Sequence, residues 1–186
     1  MKSKDQLRKK FLTLRKKKYF DVSSKKFSGL INYLKRKIKT KQNLVIALYY
    51  PSNYEINILN IMGNLKKNKA IFVLPKIQDN NSLKFIEWNE RDILLVNKFG
   101  IPEPHKNKQK HLPDILLVPM LAFDSNKNRI GYGKGFYDRC LSRLVKLNKK
   151  IESIGVAFSF QKYKKIPSSK FDFKLDKIFT EAGFIQ

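Results

Sequence analysis

The chain of 186 residues is 42% hydrophobic, which predicts a single globular domain over residues 1–186 and excludes a wholly disordered protein. It contains no apolar run of the roughly 18–20 residues that a membrane-spanning helix needs. The N-terminus has no secretory signal pattern and Cys140 is the only cysteine, so we expect a cytoplasmic protein without membrane contact or internal disulfide. The formal net charge of +25 has two interpretations: a surface that binds polyanions, or lysine enrichment through A/T-rich codons.

Helical and strand patterns alternate along the chain. Ser3 and Gln6 form a capping-box pattern, and Leu7, Phe11 and Leu14 then recur at helical spacing, which predicts a first helix. The further predicted elements are helices at 24–38, 58–65 and 137–147 and strands at 44–50, 70–75, 83–88, 114–119, 153–158 and 177–184. This alternation is typical of an α/β fold, and we predict a three-layer α/β/α sandwich with a mostly parallel central sheet.

One stretch, 97–113, does not fit the alternation. It holds three of the seven prolines together with several lysines, and it is too long for an ordinary connection between elements. Two interpretations stay open for it: a binding loop, or a disordered lysine-rich insertion.

The most informative segment is 116–144, where a predicted buried strand runs into a glycine-rich loop and then into a helix that begins near Phe136. The loop contains three alternating glycines, Gly131, Gly133 and Gly135. Such glycines allow positive φ angles and let backbone N–H groups approach an anion, to which a helix N-terminus adds a partial positive charge. Arg129 and Lys134 add full positive charges. The segment is therefore a candidate phosphate-binding loop.

This loop matches neither standard phosphate motif. Lys134 lies between glycines with no following serine or threonine, unlike a P-loop, and the third glycine comes one position too early for a dinucleotide fingerprint. An ordinary tight turn before a helix therefore stays open as the alternative. Asp138, in the first helical turn, suits a Mg²⁺ shared with a nucleotide, or is simply a carboxylate that favours the helix dipole.

The stretch from Val118 to Leu141 resembles the signature of the 5-formyltetrahydrofolate cyclo-ligase family, also called 5,10-methenyltetrahydrofolate synthetases. The similar runs, in chain order, are Lys4-x-x-Leu7-Arg8, LYYPSNYEI (48–56), FGIPEP (99–104), VPMLAFD (118–124), RIGYGKGFYD (129–138), IGVAFSFQ (154–161) and Asp172-x-x-x-Asp176. The resemblance covers nearly the whole chain. Met120 stands where the family often has a smaller residue, Tyr132 fills a variable place in the loop, and Phe171 stands where a histidine is common.

The resemblance implies an enzyme that uses ATP and Mg²⁺ to convert 5-formyltetrahydrofolate into 5,10-methenyltetrahydrofolate, with release of ADP and phosphate. In the implied mechanism the formyl oxygen is phosphorylated and the folate N10 then attacks. The implied partner is this small molecule, and part of the lysine excess is available for its glutamate or polyglutamate tail. We expect no specific nucleic-acid partner, and we expect a monomer or a weak dimer.

The family pattern also implies roles for residues around the nucleotide. Lys4 and Arg8, at i and i+4 on the first helix, would reach the ATP phosphates; without the resemblance they form an exposed charged face. The nucleotide-binding loop would comprise Arg129, Gly131, Tyr132, Gly133, Lys134, Gly135, Phe136, Tyr137 and Asp138. Lys134 would be catalytic through its charge at the transferring phosphoryl group, and Tyr137 would be catalytic at the junction of nucleotide and folate, where it also contacts the substrate.

Other residues are assigned to the metal and the folate in the same way. Asp138 and Asp176 would hold Mg²⁺ directly or through water. Glu55 would accept hydrogen bonds from the pterin amide and amino groups. Without the resemblance, Glu55 is interpreted as a charge near a helix N-cap. Phe99 would form an apolar wall for the pterin, with Trp88 as a competing candidate. An aromatic residue of an α/β protein is more often part of the core.

Two other functions stay open. A basic protein that associates with RNA or DNA and has lost the reaction would show salt-steep polynucleotide binding and no folate turnover. An enzyme of the same architecture that acts on a phosphorylated sugar is the third hypothesis, since a fold does not determine chemistry. Its expected mark, a general-base pair in the glycine loop, is absent from the sequence of that loop.

Overall fold

The computed structural model describes residues 2–65, 69–106, 108–147 and 150–186. Its α-helices are α1 (Lys4–Lys18), α2 (Ser28–Thr40), α3 (Met62–Leu65) and α4 (Phe136–Lys146), with 3-10 turns at Ser24–Phe27, Leu59–Ile61 and Ser159–Gln161. The predicted capping box begins α1: Ser3 Oγ accepts a hydrogen bond from Gln6 N, and the Gln6 side chain accepts one from Ser3 N. Leu7 and Phe11 bury one face of that helix, as their spacing predicts.

The strands are β1 (Val45–Ala47), β2 (Ile71–Ile77), β3 (Leu83–Glu87), β4 (Leu94–Val96), β5 (Pro102–Pro104), β6 (Ile115–Pro119), β7 (Ala122–Phe123), β8 (Arg129–Ile130), β9 (Glu152–Val156), β10 (Lys177–Thr180) and β11 (Gly183–Phe184). Within the described ranges, seven of them form a sheet in the order β11-β10-β9-β6-β1-β2-β3. The strands from β10 to β2 are parallel, and β3 and β11 pair antiparallel at the two edges. The prediction of a mostly parallel sheet is confirmed.

Both faces of the sheet are covered, which explains why the central strands are continuously apolar. Ile46 of β1 faces a hydrophobic cluster that contains residues of α2 and α3. Its neighbours Val45 and Ala47 face a second cluster that contains Leu141 and Leu144 of α4. Because helices lie on the two opposite faces, the structure has the predicted three layers.

Helix α1 is placed by a separate, smaller cluster. Leu7 and Phe11 pack with Ala122 and Ile130, which belong to the antiparallel hairpin formed by β7 and β8. Since the glycine loop follows β8 directly, this packing positions α1 beside that loop.

The stretch 97–113, which the sequence predicts to be irregular, contributes a strand to a hairpin. Strands β4 and β5 pair antiparallel, with Val96 opposite Pro102 and Leu94 opposite Pro104. Prolines are tolerated here because a two-stranded ribbon needs only part of the backbone N–H groups of each strand. Lys76 of β2 donates to Pro104 O at 3.0 Å and so fastens the hairpin to the sheet.

The strand order reverses beside β1, which lies between β2 and β6. In open α/β sheets, ligands bind in the crevice beyond the carboxyl ends of the strands at such a point. Among the described helices, none has the length and apolar character needed to cross a membrane.

Candidate active site

A cleft of about 480 Å³ lies at the carboxyl edge of the sheet, where the strand order reverses. Tyr49, just beyond β1, and Pro119, the last residue of β6, line its base. Helix α1 contributes Lys4 and Arg8 to its wall. The connection from β8 to α4 contributes the rest of the motif that the sequence singles out.

The glycine loop, residues 131–135, presents an open helix N-terminus to this cleft. Gly133 and Gly135 have φ angles of +97° and +64°, which residues with a side chain rarely adopt. Gly135 is also the N-cap of α4, and as a glycine it has no side chain that could cap the helix. The first N–H groups of a helix have no intrahelical partner, so this terminus favours an anion.

Arg8 holds the glycine loop against α1. Its Nε donates to Gly131 O at 3.0 Å, and its Nη1 forms an ion pair with Asp5 at 2.5 Å. A Cβ atom at Gly133 would lie 3.3 Å from Arg8 Cζ, so this close approach needs glycine as well as the positive φ. The i, i+4 spacing places both Lys4 and Arg8 on the face of α1 that lines the cleft.

The two lysines of the cleft differ in their partners. Lys134 is exposed, and its side chain forms no ion pair or hydrogen bond within the described part of the chain. Lys4 Nζ forms an ion pair with Asp172 Oδ2 at 2.5 Å. Burial alone would raise the pKa of Asp172, but hydrogen bonds from Lys4 and Ser169 N lower that pKa overall. An anion in the cleft would therefore meet Lys134 free and compete with Asp172 for Lys4.

Arg129 and Asp138 form a partly buried ion pair beside the loop. Arg129 Nη2 lies 2.7 Å from Asp138 Oδ1, which also accepts a hydrogen bond from Phe173 N at 3.1 Å. The Arg129 guanidinium lies 5.9 Å from the centre of the Tyr137 ring, and its buried Nε has no hydrogen-bond partner among the described residues. Burial raises the pKa of Tyr137 well above its usual value, so its phenol stays protonated.

Glu55 provides a buried carboxylate in the same cleft. It lies in the loop after β1 and is 6% exposed. Tyr132 OH donates to its Oε1 at 2.8 Å, and Ser52 N donates to its Oε2 at 2.9 Å. Burial raises the pKa of Glu55, and the Arg15 charge and these hydrogen bonds offset part of that rise.

An apolar surface adjoins these polar groups. Phe99 is 40% exposed and lines the cleft, and its ring centre lies 5.9 Å from that of Phe136 in an edge-to-face arrangement. Ile101 and Pro102 of the β4–β5 hairpin line the cleft beside it. The hairpin thus supplies a wall on which a flat ring system can lie.

The structure brings most of the predicted site residues together. Those that line the cleft are Lys4, Arg8, Glu55, Phe99, Arg129, Gly131, Tyr132, Gly133, Lys134, Gly135, Phe136, Tyr137 and Asp138. The roles assigned to them in the sequence analysis stay predictions.

Two predicted candidates lie elsewhere. Asp176 precedes β10 at the amino edge of the sheet, where its Oδ2 accepts hydrogen bonds from Ser153 N and Ser153 Oγ at 2.8 and 2.6 Å. The structure therefore does not bring it to Asp138. Asp172, by contrast, lines the cleft. Asp176 follows it by four residues, and at about 3.3 Å per residue that length of chain is enough to cross much of the sheet. Trp88 is 4% exposed in the core cluster on the α2 side of the sheet, so it does not face the cleft.

Among the described residues that line the cleft or lie directly behind it, three with charged side chains are missing from the sequence-based assignment. Asp172 and Glu103 line the cleft. Glu103 Oε2 accepts a hydrogen bond from Ile77 N, which joins the β4–β5 hairpin to β2, and another from Asn97 Nδ2 within the hairpin. Arg15 is 1% exposed behind the cleft. Its signal in the sequence is its spacing: it follows Phe11 by four residues and so interrupts the apolar stripe of α1 with a charge.

The donor set fits a Mg²⁺ that is bound mainly by nucleotide phosphates. Among the described residues, no three His, Cys, Asp or Glu side chains cluster as a metal site. Mg²⁺ in nucleotide sites commonly uses only one or two carboxylates together with phosphate oxygens. Asp138 suits that task, because Arg129 and Phe173 N occupy its Oδ1 while its Oδ2 has no hydrogen bond in the described part of the chain.

Comparison with known proteins identifies relatives whose sequences align with most of this chain. The model of the 5-formyltetrahydrofolate cyclo-ligase family matches residues 1–181. The 5-formyltetrahydrofolate cyclo-ligase of Mycoplasma genitalium is 37% identical over 134 residues, which cover 72% of this chain and 70% of that protein. The mouse 5-formyltetrahydrofolate cyclo-ligase is 38% identical over 147 residues, which cover 73% of this chain and 72% of that protein.

Solved structures with a similar fold include two synthetases of the same kind. The 5,10-methenyltetrahydrofolate synthetase of Aquifex aeolicus superposes with a TM-score of 0.77 at 31% identity, over 97% of this chain and 91% of that one. The 5,10-methenyltetrahydrofolate synthetase of Mycoplasma pneumoniae superposes with a TM-score of 0.62 at 28% identity, over 95% of this chain and 98% of that one.

Proposed function

The chain belongs to the 5-formyltetrahydrofolate cyclo-ligase family, and from that premise we propose that it converts 5-formyltetrahydrofolate and ATP into 5,10-methenyltetrahydrofolate, ADP and phosphate in the presence of Mg²⁺. The observation that carries the proposal is that one cleft contains both an uncapped, glycine-rich helix N-terminus and a buried carboxylate, Glu55. The first feature suits phosphates, and the second suits a ligand with paired N–H donors.

The reaction needs ATP because a formamide oxygen is a poor leaving group. Transfer of the γ-phosphoryl group to that oxygen gives an imidate-like phosphate. The folate N10 then attacks the activated carbon and closes the ring, and the C–O bond breaks with release of phosphate. Protein residues contribute positioning and charge neutralisation to such a transfer rather than a covalent nucleophile.

In the nucleotide half of the cleft, backbone N–H groups at the start of α4 would bind phosphate oxygens. Lys134, which has no competing partner in the described ranges, would neutralise the charge of the transferring group. Arg8 is already fixed against the loop by its bond to Gly131 O, and Lys4 would exchange Asp172 for a phosphate oxygen. Mg²⁺, which Asp138 would hold, supplies positive charge to the phosphates when it is bound.

In the folate half, Glu55 would accept the pterin amide and amino N–H groups. Phe99 would lie against the ring, and the cleft surface around it is apolar. Tyr137 lies beside Arg129 on the α4 side, and its protonated phenol would donate a hydrogen bond at the junction of the two substrates.

The test is direct mixing of the protein with 5-formyltetrahydrofolate, ATP and Mg²⁺. We expect the absorbance of the methenyl product to rise, with ADP and phosphate released in equal amounts. Parallel reactions without ATP or without Mg²⁺ should show no rise. A complete reaction without methenyl absorbance would contradict the proposal. Titration with a mixed-sequence RNA at low and moderate salt then tests the polyanion hypothesis, which requires salt-steep binding and no turnover.

The cytoplasmic location, the single domain over 1–186, the monomeric or weakly dimeric state and the use of polyglutamylated folates remain predictions.

A further inference from the structure

Arg15 is a buried cation in α1. Its side chain is 1% exposed, although burial of an isolated guanidinium is costly unless the charge is paired. Its Nη1 donates to Met120 O at 3.2 Å, and its Nη2 donates to Tyr132 OH. The cost of burying this charge points to a partner of opposite sign.

That partner is Glu55, reached directly and through Tyr132. Arg15 Nη1 lies 4.0 Å from Glu55 Oε1, and Tyr132 OH donates to the same oxygen at 2.8 Å. The direction of the bonds follows from chemistry, because a guanidinium can only donate and the one phenolic proton of Tyr132 must then go to the carboxylate. A single chain of bonds thus joins α1, the glycine loop and the loop after β1.

Both oxygens of Glu55 are held. Tyr132 bonds to Oε1, while Ser52 N bonds to Oε2 at 2.9 Å and Ser52 Oγ lies 3.4 Å from the same atom. These bonds prevent rotation of the carboxylate. A carboxylate has about four lone-pair positions, and Oε1 keeps one of its two for a ligand. At Oε2 a second N–H donor of the ligand would replace the hydrogen bond from Ser52 Oγ, which at 3.4 Å is the longer of the two that Oε2 accepts.

We propose that Arg15 and Tyr132 are positioning residues for folate binding, which orient Glu55 and balance its negative charge so that both oxygens face the ligand ready to accept. The inference rests on the proposed function, because it takes the folate as the ligand of Glu55. Tyr132 is part of the glycine loop, so the phosphate-binding segment also organises the folate half of the cleft.

The charge balance predicts a pH effect with a definite sign. Among the described residues, the charged or titratable groups that interact with Glu55 are Arg15 from α1, Tyr132 from the glycine loop, Tyr49 beyond β1 and Tyr137 from α4. The three tyrosines have raised pKa values and are neutral near pH 7, so Arg15 is the compensating charge among them. Burial raises the pKa of Glu55, and Arg15 and the Tyr132 hydroxyl lower it. Removal of either would raise that pKa further, so binding would be lost at a higher pH as the solution is acidified.

The experiment compares Tyr132→Phe, Arg15→Gln and Arg15→Lys with Tyr163→Phe as the control. Tyr163 also packs on α1, with its ring 5.9 Å from that of Phe11, but it does not line the cleft. Two quantities are measured: calorimetric binding of 5-formyltetrahydrofolate without nucleotide, and kcat/KM for the folate as a function of pH, which reports pKa values of the free enzyme.

For Tyr132→Phe we expect folate binding to weaken about tenfold, the scale of one hydrogen bond to a charged group. The acid limb of kcat/KM should move to higher pH. Arg15→Gln should show a larger shift of that limb, on the order of one pH unit. Arg15→Lys, which keeps the charge, should restore the limb toward the wild-type position. Tyr163→Phe should match the wild type in both measurements.

Folded Tyr132→Phe protein with wild-type folate affinity and an unmoved acid limb would overturn the inference. Since Tyr132 is 39% exposed and its ring is retained, this variant decides the question even if Arg15→Gln fails to fold. The wild-type reaction separates the two proposals. If the wild type converts the folate and Tyr132→Phe has the same folate affinity and pH profile as the wild type, only the positioning role is refuted. A wild type that neither binds nor converts the folate defeats the proposed function and this inference with it.

Discussion

Replacement of Lys134 by alanine should separate stability from activity, because the two effects have opposite signs. Lys134 immediately precedes Gly135, the N-cap of α4, so its positive charge lies at the positive end of the helix dipole. The exposed side chain forms no ion pair or hydrogen bond within the described ranges, so its removal breaks no contact of that kind. A like charge at a helix terminus costs about 0.3–1 kcal/mol. We therefore expect Lys134→Ala to leave the free energy of unfolding unchanged or to raise it by a few tenths of a kcal/mol.

Turnover should fall steeply in the same variant. If Lys134 neutralises charge on the transferring phosphoryl group, its loss removes one preorganised electrostatic contact, which lowers kcat by about 10²–10³-fold in comparable cases. The assays are methenyl absorbance under saturating substrates and denaturant unfolding of the same preparation.

Lys17→Ala is the matched control. Lys17 is an exposed lysine in the last turn of α1, where its charge favours the helix dipole. Its removal should lower stability slightly and leave turnover at the wild-type level. A Lys134→Ala variant with wild-type kcat would remove Lys134 from the reaction, and one that loses more than about 1 kcal/mol of stability would show that the residue is structural.

Five further variants test the other predicted site residues. Gly133→Ala forces a side chain into a φ of +97° and against α1, so we expect a loss of about 1–2 kcal/mol in unfolding free energy and at least tenfold weaker ATP binding by calorimetry; unaltered ATP affinity would contradict the phosphate role of the loop. Asp138→Asn should raise the Mg²⁺ concentration needed for half-maximal rate. Asp176→Ala should keep the wild-type Mg²⁺ requirement and lower the melting temperature. A higher Mg²⁺ requirement for Asp176→Ala alone would indicate that Asp176, not Asp138, binds the metal. Phe99→Ala should raise the KM for the folate with little change in melting temperature, and Trp88→Ala should cost about 3–5 kcal/mol of stability. A folate KM that changes only in Trp88→Ala would refute the prediction that Phe99 lies against the pterin.

The features that could be predicted from the sequence depend on interactions between residues that are close together in the chain. The capping box at Ser3 and Gln6 satisfies helix N–H groups within three residues, so no distant contact is needed to define the start of α1. Likewise, the apolar runs of β1 and β6 indicate strands covered on both faces, which is the condition for a parallel sheet between helices. The positive φ angles at Gly133 and Gly135 are a backbone requirement that glycine itself signals.

The partners of charged residues could not be predicted in the same way. The family resemblance implied that Asp138 and Asp176 share a metal, but which edge of the sheet a residue reaches depends on how the chain crosses it. Asp176 lies at the amino edge with Ser153, while Asp172 faces the cleft and pairs with Lys4, 168 residues away in the sequence.

The amino-acid sequence by itself determined the layers of this protein, its family and the loop that suits phosphate, because periodicity, capping and glycine conformation act over a few residues. Only the tertiary structure decided that Arg15 is buried behind Glu55 and connected to it through Tyr132, a residue 117 positions further along the chain. Such contacts depend on the packing of α1 against the β7–β8 hairpin, and no local pattern encodes the pairing that this packing creates.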